Sequence, residues 1–183
     1  RSPSRGLGDV YKRQALAIPL AIQAGLGEYG RHGLVITPEF GPRVRFGKIF
    51  TDVPLDHDVP VEFGVSAFCE VCRRCTDACP PKAIPDGEPS PVKLNRSAIG
   101  GVRKWSVDGE KCFSYWGQIV SDCMICMRVC PYNKDFTRGR HRLGRRLAAT
   151  RLRKVMLRLN DRFGYGERLK PRNWWAGATR RRL

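Results

Sequence analysis

The sequence predicts an α+β chain organised around a cysteine-rich module of the ferredoxin type. Its eight cysteines fall in two runs with related spacing: Cys69-x2-Cys72-x2-Cys75-x3-Cys79-Pro80 and Cys112-x10-Cys123-x2-Cys126-x3-Cys130-Pro131. An apolar, glycine-rich segment with short strand-like stretches precedes the runs. A basic segment with helical periodicity follows them. The order of these three segments defines the expected domains.

The segment before the first cysteine is expected to contain two short buried strands, Leu34–Thr37 and Lys48–Thr51. Gly25–Gly30 has the GxGxxG spacing, but a dinucleotide-binding loop must open a helix, and here a strand is expected next. The glycines therefore predict either a structural turn or a loop that approaches a ligand closely.

Residues 1–14 resemble translated adaptor sequence, so we expect a non-native leader and a native chain that begins near Ala15.

The cysteine runs have the spacing by which bacterial ferredoxins hold two 4Fe–4S clusters. In that pattern three closely spaced thiolates bind one cluster, and the fourth, which precedes a proline, completes the other. The proline favours this exchange because it lacks an N–H and biases the preceding residue away from helical geometry. The expected ligands are Cys69, Cys72, Cys75 and Cys130 for the first cluster, and Cys79, Cys112, Cys123 and Cys126 for the second.

Two other roles for the cysteines, disulfide bonds and zinc ligation, compete with cluster binding. Four disulfides suit short secreted scaffolds, whereas this chain has 183 residues and no recognisable signal peptide. Zinc would accept two sites of four thiolates, but zinc ribbons usually show isolated Cys-x2-Cys pairs and not a triple run that ends in Cys-Pro. Two 4Fe–4S clusters therefore remain the favoured interpretation, and such a pair would act as a relay for single electrons.

Trp105, Tyr115 and Trp116 are expected to form a dry shell that tunes the reduction potential of the clusters.

The basic segment, residues 137–183, carries sixteen Lys and Arg residues against Asp161 and Glu167. The whole chain has a formal charge of +17, which falls to about +13 if two oxidised clusters each contribute about −2. Such a segment attracts nucleic acid or anionic lipid, or it folds back over the body. The Trp174-Trp175 pair is expected to dock on the body or to anchor at an interface.

Within this segment Arg140–Asn160 is predicted to form one helix that ends at Gly164 and Gly166. Its expected apolar stripe consists of Ala148, Leu152, Val155, Met156 and Leu159. The longest uninterrupted apolar run of the whole chain, Ala15–Ile22, is too short to span a bilayer.

Several stretches, taken together, resemble the C-terminal part of corrinoid reductive dehalogenases. These are Ala24–Arg31, Ile36–Arg45, Phe50–Leu55, Lys104–Asp108, Cys112-x2-Tyr115-Trp116 and Cys130-Pro131-Tyr132-Asn133-Lys134. The resemblance implies that residues 15–62 end a catalytic, cobalamin-binding module of nitroreductase-like α/β build. Residues 63–136 would then be a 4Fe–4S ferredoxin-type domain that feeds it electrons, and residues 137–183 a basic helical tail.

The resemblance also implies a corrinoid site and a proton donor. The corrinoid would contact Gly25, Gly27, Gly30, Thr37, Pro38, Glu39 and Gly41. In the family, reduced cobalt attacks or abstracts the halogen and a tyrosine supplies a proton; we expect this tyrosine upstream of the chain and do not assign the role to Tyr29. A basic residue that lowers the pKa of the tyrosine is expected at Arg45, or else at Lys48. The alternative for both is an ordinary surface charge. The chain alone is therefore expected to be inactive.

The histidines are not expected to ligate cobalt, because the sequence has no Asp-x-His-x-x-Gly motif. His57 is expected in a solvated loop. For His32 a surface position is preferred over contact with cofactor or substrate.

The resulting hypothesis is the electron-relay portion of a cobalamin-dependent reductive dehalogenase. It implies an organohalide substrate, a low-potential donor such as ferredoxin, flavodoxin or a membrane quinol chain, and contact of the tail with an anionic membrane. Location would be cytoplasmic, or exported and membrane-associated if a missing N-terminus carries a twin-arginine signal. One alternative is an epoxyqueuosine reductase-like enzyme that acts on tRNA, and only this alternative requires binding of nucleic acid. Another is a plain dicluster ferredoxin, which leaves the glycine-rich segment unexplained.

Overall fold

The structure is a computed structural model that describes residues 16–95 and 98–167. These residues form seven helices and one two-stranded antiparallel sheet, so the predicted α+β class is confirmed. The elements are α1 (Ala17–Gln23), β1 (Glu28–Tyr29), β2 (Val35–Ile36), α2 (Val65–Cys72), α3 (Arg74–Ala78), α4 (Gly109–Ile119), α5 (Ile125–Arg128), α6 (Gly139–Ala148) and α7 (Arg153–Arg162). Within the described ranges, no helix combines the length and apolar character needed to cross a bilayer.

The sheet is a short hairpin in which Glu28 pairs with Ile36 and Tyr29 with Val35. The prediction of a buried strand at Leu34–Thr37 is confirmed, since β2 lies at its centre and both of its residues are buried. The predicted strand Lys48–Thr51 is wrong. Residues 43–62 form no helix or strand, and Ile49 is 93% exposed. No strand within the described ranges pairs with this segment, and a lone strand cannot satisfy its own backbone groups.

Helix α2, which carries the first two cysteines, begins where the hairpin meets it. The Glu28 carboxylate accepts hydrogen bonds from the backbone N–H groups of Phe63 and Val65. It thereby satisfies donors that a helix N-terminus leaves without partners. Gly64, with φ +88°, precedes the helix and packs against Ala149. A Cβ atom at Gly64 would lie only 2.8 Å from the Ala149 Cα atom. The start of α2 is thus fixed both by the hairpin and by the segment after α6.

Helix α4, which carries Cys112, begins at a side-chain cap. Asp108 accepts hydrogen bonds from the N–H groups of Glu110 and Lys111, both at 3.1 Å. Such a cap satisfies two of the four free donors at a helix N-terminus. Since no residue of α4 is fully buried, the helix presents Cys112 from the outer side of the molecule.

The prediction of one helix over Arg140–Asn160 is wrong, because a turn at residues 149–152 separates α6 from α7. Thr150 causes the break locally: its hydroxyl donates to the Leu147 carbonyl at 2.8 Å and accepts the Leu152 N–H at 3.2 Å. Threonine side chains compete with helical backbone bonds in this way. The end after α7 agrees with the prediction, since Gly164 has φ +64°.

The break also divides the predicted apolar stripe. Ala148 and Met156 are buried, whereas Leu152, Val155 and Leu159 are between 44% and 53% exposed. The α6–α7 pair nevertheless lies on the body, because Arg153 donates to the Ala67 carbonyl at 2.8 Å and Arg145 donates to the Pro38 carbonyl. For this part of the basic segment the folded-back arrangement is therefore observed. Residues 1–15 and 168–183, including the Trp174-Trp175 pair, lie outside the described residues.

The main core joins the hairpin, α2 and the turn after α5. It contains Ile36, Val65, Phe68, Cys69, Trp105, Tyr132, Phe136, Ala148 and Met156. Tyr132, only 1% exposed, packs edge-on against Phe68 with ring centroids 5.3 Å apart. Since Tyr132 follows Cys130 by two residues, the packing of its ring also positions that cysteine.

Gly41 is the closest contact between the N-terminal segment and the turn after Cys130. It has φ +61°, and a Cβ atom there would lie 1.8 Å from the Tyr132 carbonyl oxygen. Nearby, the Phe136 N–H donates to the Glu39 carbonyl at 2.8 Å. Only glycine meets both the conformational and the steric requirement.

We predict that Gly41→Ala destabilises the protein by about 1–3 kcal/mol, because it combines a strained backbone conformation with a collision against main-chain atoms. Gly47→Ala is the matched control, since a Cβ atom at Gly47 meets nothing within 4 Å. Anaerobic denaturant titration of the iron-loaded proteins measures the difference. Equal free energies of unfolding for the two variants would show that the Gly41 contact is unimportant.

Candidate iron–sulfur sites

The first predicted ligand set, which we call site 1, comprises Cys69, Cys72, Cys75 and Cys130. All four cysteines line one small cavity. Cys69 and Cys72 come from α2, Cys75 comes from α3, and Cys130 arrives from the end of α5. Arg73 between α2 and α3 has φ +52°, and this left-handed turn lets Cys72 and Cys75 face the same space.

The second set, which we call site 2, comprises Cys79, Cys112, Cys123 and Cys126. Burial raises the pKa of Cys112, and the negative charges of Cys79 and Cys123 raise it further. Burial likewise raises the pKa of Cys126 to about 11, with added repulsion from the other three members. These four sulfurs are therefore neighbours, although they come from three different stretches of chain. The Cys79 sulfur also accepts the Ala83 N–H at 3.3 Å.

Site 1 is the more buried of the two. Burial raises the pKa of both Cys69 and Cys75 to about 12, and it raises the pKa of Cys130 well above its usual value. Repulsion among the members adds to this effect. Such thiols lose their protons readily only to a metal, whose positive charge replaces the proton. A largely buried group of four thiols that line one cavity fits an iron–sulfur cluster.

The two sites adjoin each other. Cys126 of site 2 is among the charges that raise the pKa of Cys75 in site 1. The helices that carry these residues, α3 and α5, pack directly together. Two clusters placed here would be near neighbours.

All eight cysteines are free thiols, so the four-disulfide alternative is not observed. Within residues 16–95 and 98–167, no group of three or more His, Cys, Asp or Glu side chains is arranged to hold a single metal ion. A zinc ion would draw its four sulfurs to about 2.3 Å from one centre. The four cysteines of site 1 instead line a small cavity.

Arg31 is a residue at site 1 that sequence reasoning missed. Its side chain is 2% exposed; Nε donates to the Cys69 carbonyl at 3.1 Å, and Nη1 donates to carbonyls of the loop 85–87 at 2.9–3.2 Å. Its guanidinium carbon lies 4.6 Å from the centre of the Trp105 ring. The only sequence signal was its place at the end of the Ala24–Arg31 motif, where it looked like one more basic residue.

The predicted shell of aromatic residues is only partly dry. Trp105 is 2% exposed and belongs to the core that contains Cys69, and its indole N–H donates to the Gly87 carbonyl at 3.0 Å. Tyr115 and Trp116 are only half-buried on α4. A shielding role is therefore better supported at site 1 than at site 2.

The preference for a surface position of His32 is wrong. The residue is 6% exposed and lines the cavity of site 1, and burial lowers its pKa to about 4. Its Nδ1 accepts the Leu34 N–H at 3.2 Å, while Nε2 is buried without a hydrogen-bond partner. The cause is the tight turn between β1 and β2, which directs the ring inward. His57 is exposed, as expected.

His32 also lines a second cavity, with a volume of about 740 Å³. Residues of α1 form one wall and residues 98–107 form the other. Ser106, a further member of this lining, has a buried hydroxyl without a hydrogen-bond partner. His32 therefore separates this cavity from site 1.

The residues predicted to contact a corrinoid make close contacts within the chain itself. A Cβ atom at Gly27 would lie 2.2 Å from the Ile36 carbonyl oxygen, and one at Gly25 would lie 2.5 Å from that of Val59. The Thr37 hydroxyl donates to the Gly41 carbonyl at 3.1 Å. Packing alone thus accounts for these glycines, and none of the predicted corrinoid contacts lines the 740 Å³ cavity.

Arg45 and Lys48, the predicted basic catalytic residues, lie on segment 43–62, which forms no helix or strand. Arg45 is exposed and Lys48 is half-buried. Neither residue lines the cavity of site 1.

Comparison with known proteins identifies the cysteine-bearing segment. Residues 68–133 match the family described as a 4Fe-4S double cluster binding domain. The zinc alternative is thereby set aside, and the module is a dicluster domain. This match covers the cysteine-bearing segment alone, so it does not separate an electron carrier from an enzyme.

The relatives extend the match beyond the clusters. A tetrachloroethene reductive dehalogenase from Desulfitobacterium hafniense is 40% identical over 163 residues, which cover 85% of this chain and 29% of the relative. The tetrachloroethene reductive dehalogenase of Sulfurospirillum multivorans is 38% identical over 162 residues, 88% of this chain and 32% of that protein. The chain belongs to the reductive dehalogenase family. It spans about a third of the length of these curated relatives.

Solved structures agree with this membership. The chain of a catabolic reductive dehalogenase superposes with a TM-score of 0.69 at 32% identity, covering 82% of this family member and 21% of the solved chain. A more distant relative, the epoxyqueuosine reductase of Lactococcus garvieae, is 30% identical over 139 residues, 68% of this chain and 34% of that enzyme.

Paired cysteine substitutions test which thiols share a site. Cys72→Ser/Cys130→Ser places both changes in site 1, so we predict that it retains one cluster and about four irons. Cys123→Ser/Cys130→Ser affects both sites, so it should retain no intact cluster. Iron and sulfide analysis after anaerobic reconstitution measures the difference.

If the cysteines of the second run formed one site by themselves, the result would be reversed. Cys123→Ser/Cys130→Ser would then keep one cluster, and Cys72→Ser/Cys130→Ser would lose both. The single variants serve as controls, since each should lose only one cluster.

Proposed function

We propose that this chain is the electron-relay portion of a cobalamin-dependent reductive dehalogenase. Single electrons would pass through clusters at site 2 and site 1 to a corrinoid that removes halogen from an organohalide. The observation that carries the proposal is the 40% identity to a tetrachloroethene reductive dehalogenase, which extends over 85% of the chain and therefore well beyond the cysteine runs. A plain dicluster ferredoxin would not account for that extent.

The arrangement of the two sites supports a direction for the relay. Cys112, Cys123 and Cys126 of site 2 are only partly buried, and α4 has no buried residue, so an external donor can approach this site. Site 1 lies deeper, between α2, the turn of the β1–β2 hairpin and residues 130–132. We infer that electrons enter at site 2 and leave from site 1.

The corrinoid is proposed to lie beside site 1. One solved neighbour, 28% identical with a TM-score of 0.66, is described as suggesting a mechanism for B12-dependent dehalogenation. The bound group would supply the reduced cobalt that removes the halogen. The predicted contacts, from Gly25 to Gly41, support a place near site 1 because Gly41 packs on Tyr132, which itself lines the cavity of that site.

The chain's own residues would have three roles in this reaction. Backbone groups of residues 25–30 and 37–41 would hold the corrinoid, and the aromatic core around Tyr132 would exclude water from the path of the electron. Arg45 or Lys48 would lower the pKa of a proton-donating tyrosine by its positive charge. The nitroreductase-like build of the surrounding module is part of the same proposal.

The partners follow from the same reaction. The substrate is an organohalide, and the donor is a low-potential carrier such as ferredoxin, flavodoxin or a membrane quinol chain. Exposed arginines on α6 and α7 support contact with an anionic membrane, since each lysine or arginine near such a surface contributes about 1 kcal/mol.

A second candidate is an epoxyqueuosine reductase-like activity on tRNA. It is favoured by the 30% identity to such an enzyme and by the basic charge of the chain. The identity is lower and covers less of the chain than the match to dehalogenases. Phosphate contacts would make tRNA binding strongly dependent on salt concentration.

A chimeric enzyme tests the dehalogenase proposal. The matching region of the Desulfitobacterium hafniense tetrachloroethene reductive dehalogenase is replaced by this chain from residue 16 onward. We predict that the chimera binds cobalamin and releases chloride from tetrachloroethene. The same chimera with Cys123→Ser and Cys130→Ser should bind cobalamin but release at least a hundredfold less chloride, because electrons no longer reach the corrinoid.

The outcome against the proposal is equally specific. A chimera that holds both clusters and cobalamin yet releases no chloride would argue against a dehalogenase relay. Salt-sensitive binding of tRNA by that protein would then favour the second candidate.

Substitution of the basic residues tests their proposed role in proton donation. In the chimera, we predict that Arg45→Ala or Lys48→Ala lowers chloride release by about a hundredfold, which is within the usual range for general acid–base catalysis. Cluster and cobalamin contents should be unchanged. Arg43→Ala is the control on the same segment, and an equal loss in all three variants would show that the effect is not specific.

A further inference from the structure

Arg31 brings a buried positive charge to one of the two cluster sites. Arg31 takes part in none of the ion pairs Arg73–Asp86, Arg74–Asp161, Lys111–Asp108 and Arg138–Asp135. Its side-chain hydrogen bonds go to backbone carbonyls alone, at Cys69, Pro85, Asp86 and Gly87. Carbonyl dipoles hold the guanidinium in place without cancelling its charge.

This charge acts on site 1 and not on site 2. Arg31 lines the cavity of site 1, and its charge opposes the rise in pKa at Cys69, Cys72 and Cys75. It is not among the influences on the pKa of Cys112 or Cys126. The backbone N–H of Arg31 also lowers the pKa of the Cys69 thiol, because it favours the thiolate form.

Other charges also lie near site 1. The Glu28 carboxylate opposes Arg31 at Cys69, where its influence is the smaller, and it is engaged by backbone N–H groups at the start of α2. Arg73 lines the same cavity but is paired with Asp86, and Arg74 acts on Cys72 but is paired with Asp161. Lys134 interacts with Cys130, whereas Arg31 acts on the other three thiols of the site.

We propose that Arg31 raises the reduction potential of the cluster at site 1 and so draws the electron there from site 2. This inference rests on the proposed relay function. In the step concerned, the cluster at site 2 loses one electron and the cluster at site 1 gains it, with no bond made or broken. The added electron makes the cluster at site 1 more negative, so a fixed positive charge in a buried setting stabilises the reduced form more than the oxidised form.

Arg31 is therefore a tuning residue, and its charge can be separated from its hydrogen bonds. Arg31→Met removes both the charge and the side-chain donors, whereas Arg31→Lys keeps the charge but loses the planar fork. Both variants leave the backbone N–H to Cys69 in place. Arg142→Met removes the same charge from an exposed position on α6 and serves as the matched control.

The experiment is an anaerobic redox titration of the reconstituted 183-residue chain, followed by electron paramagnetic resonance. The signal of site 1 is identified by its loss in Cys72→Ser. We expect Arg31→Met to lower the equilibrium constant for one-electron reduction of site 1 at least tenfold, which corresponds to a fall of about 59 mV. Arg31→Lys and Arg142→Met should stay within about threefold of the parent protein.

An unchanged site 1 in Arg31→Met, with full iron content, would overturn the inference. So would a shift of equal size in Arg31→Lys. If Arg31→Met fails to hold a cluster, Arg31→Gln replaces it. In either case a tenfold shift in Arg31→Lys, which keeps the charge, rejects the role of the charge. Failure of the parent chain to bind two clusters would instead overturn the proposed relay, and absence of dehalogenation by the chimera would leave the titration fully interpretable.

Discussion

Neither cysteine run completes a site by itself, and this exchange is the constraint on which the rest of the structure depends. Cys130 must cross to the three thiols of the first run, and Cys79 must cross to those of the second. The chain between the runs therefore has to fold back so that α3 lies on α5. Tyr132 fixes this return because its ring occupies the centre of the core.

Regular secondary structure contributes little to this fold. The strands have two residues each, and α3 and α5 have only five and four. A two-stranded hairpin of this kind is only marginally stable alone. The buried thiols occupy positions where other small domains place apolar side chains, so cluster binding and folding are expected to be coupled. The N-terminal segment joins the same core through Glu28, Glu39 and Gly41.

The spacing of the cysteines predicted both the dicluster domain and the two groups of four thiols that the structure brings together. This was possible because the geometry of a cluster restricts how far apart its ligands lie in the sequence. Longer-range features were less accessible. Lys48–Thr51 has the composition of a strand but no partner strand, and the helix break at Thr150 depends on a local hydroxyl competition. The burial of His32 and Arg31 depends on the direction of the turn in a hairpin whose strands have only two residues each. Hydrophobic periodicity in the sequence does not show that direction. The corrinoid contacts and the basic residues near the cobalt came from the family resemblance and remain predictions.

Segment 43–62, which forms no helix or strand, exposes several apolar side chains to solvent. Ile49, Val53, Leu55 and Val59 are each between 58% and 93% exposed along one continuous stretch. Its backbone pairs with no strand among the described residues, so it resembles the unprotected edge of a sheet. Apolar side chains on such an edge favour pairing between molecules. The colloidal stability of the chain is therefore governed by this segment, while the net positive charge opposes association by mutual repulsion, and that repulsion weakens as salt is added.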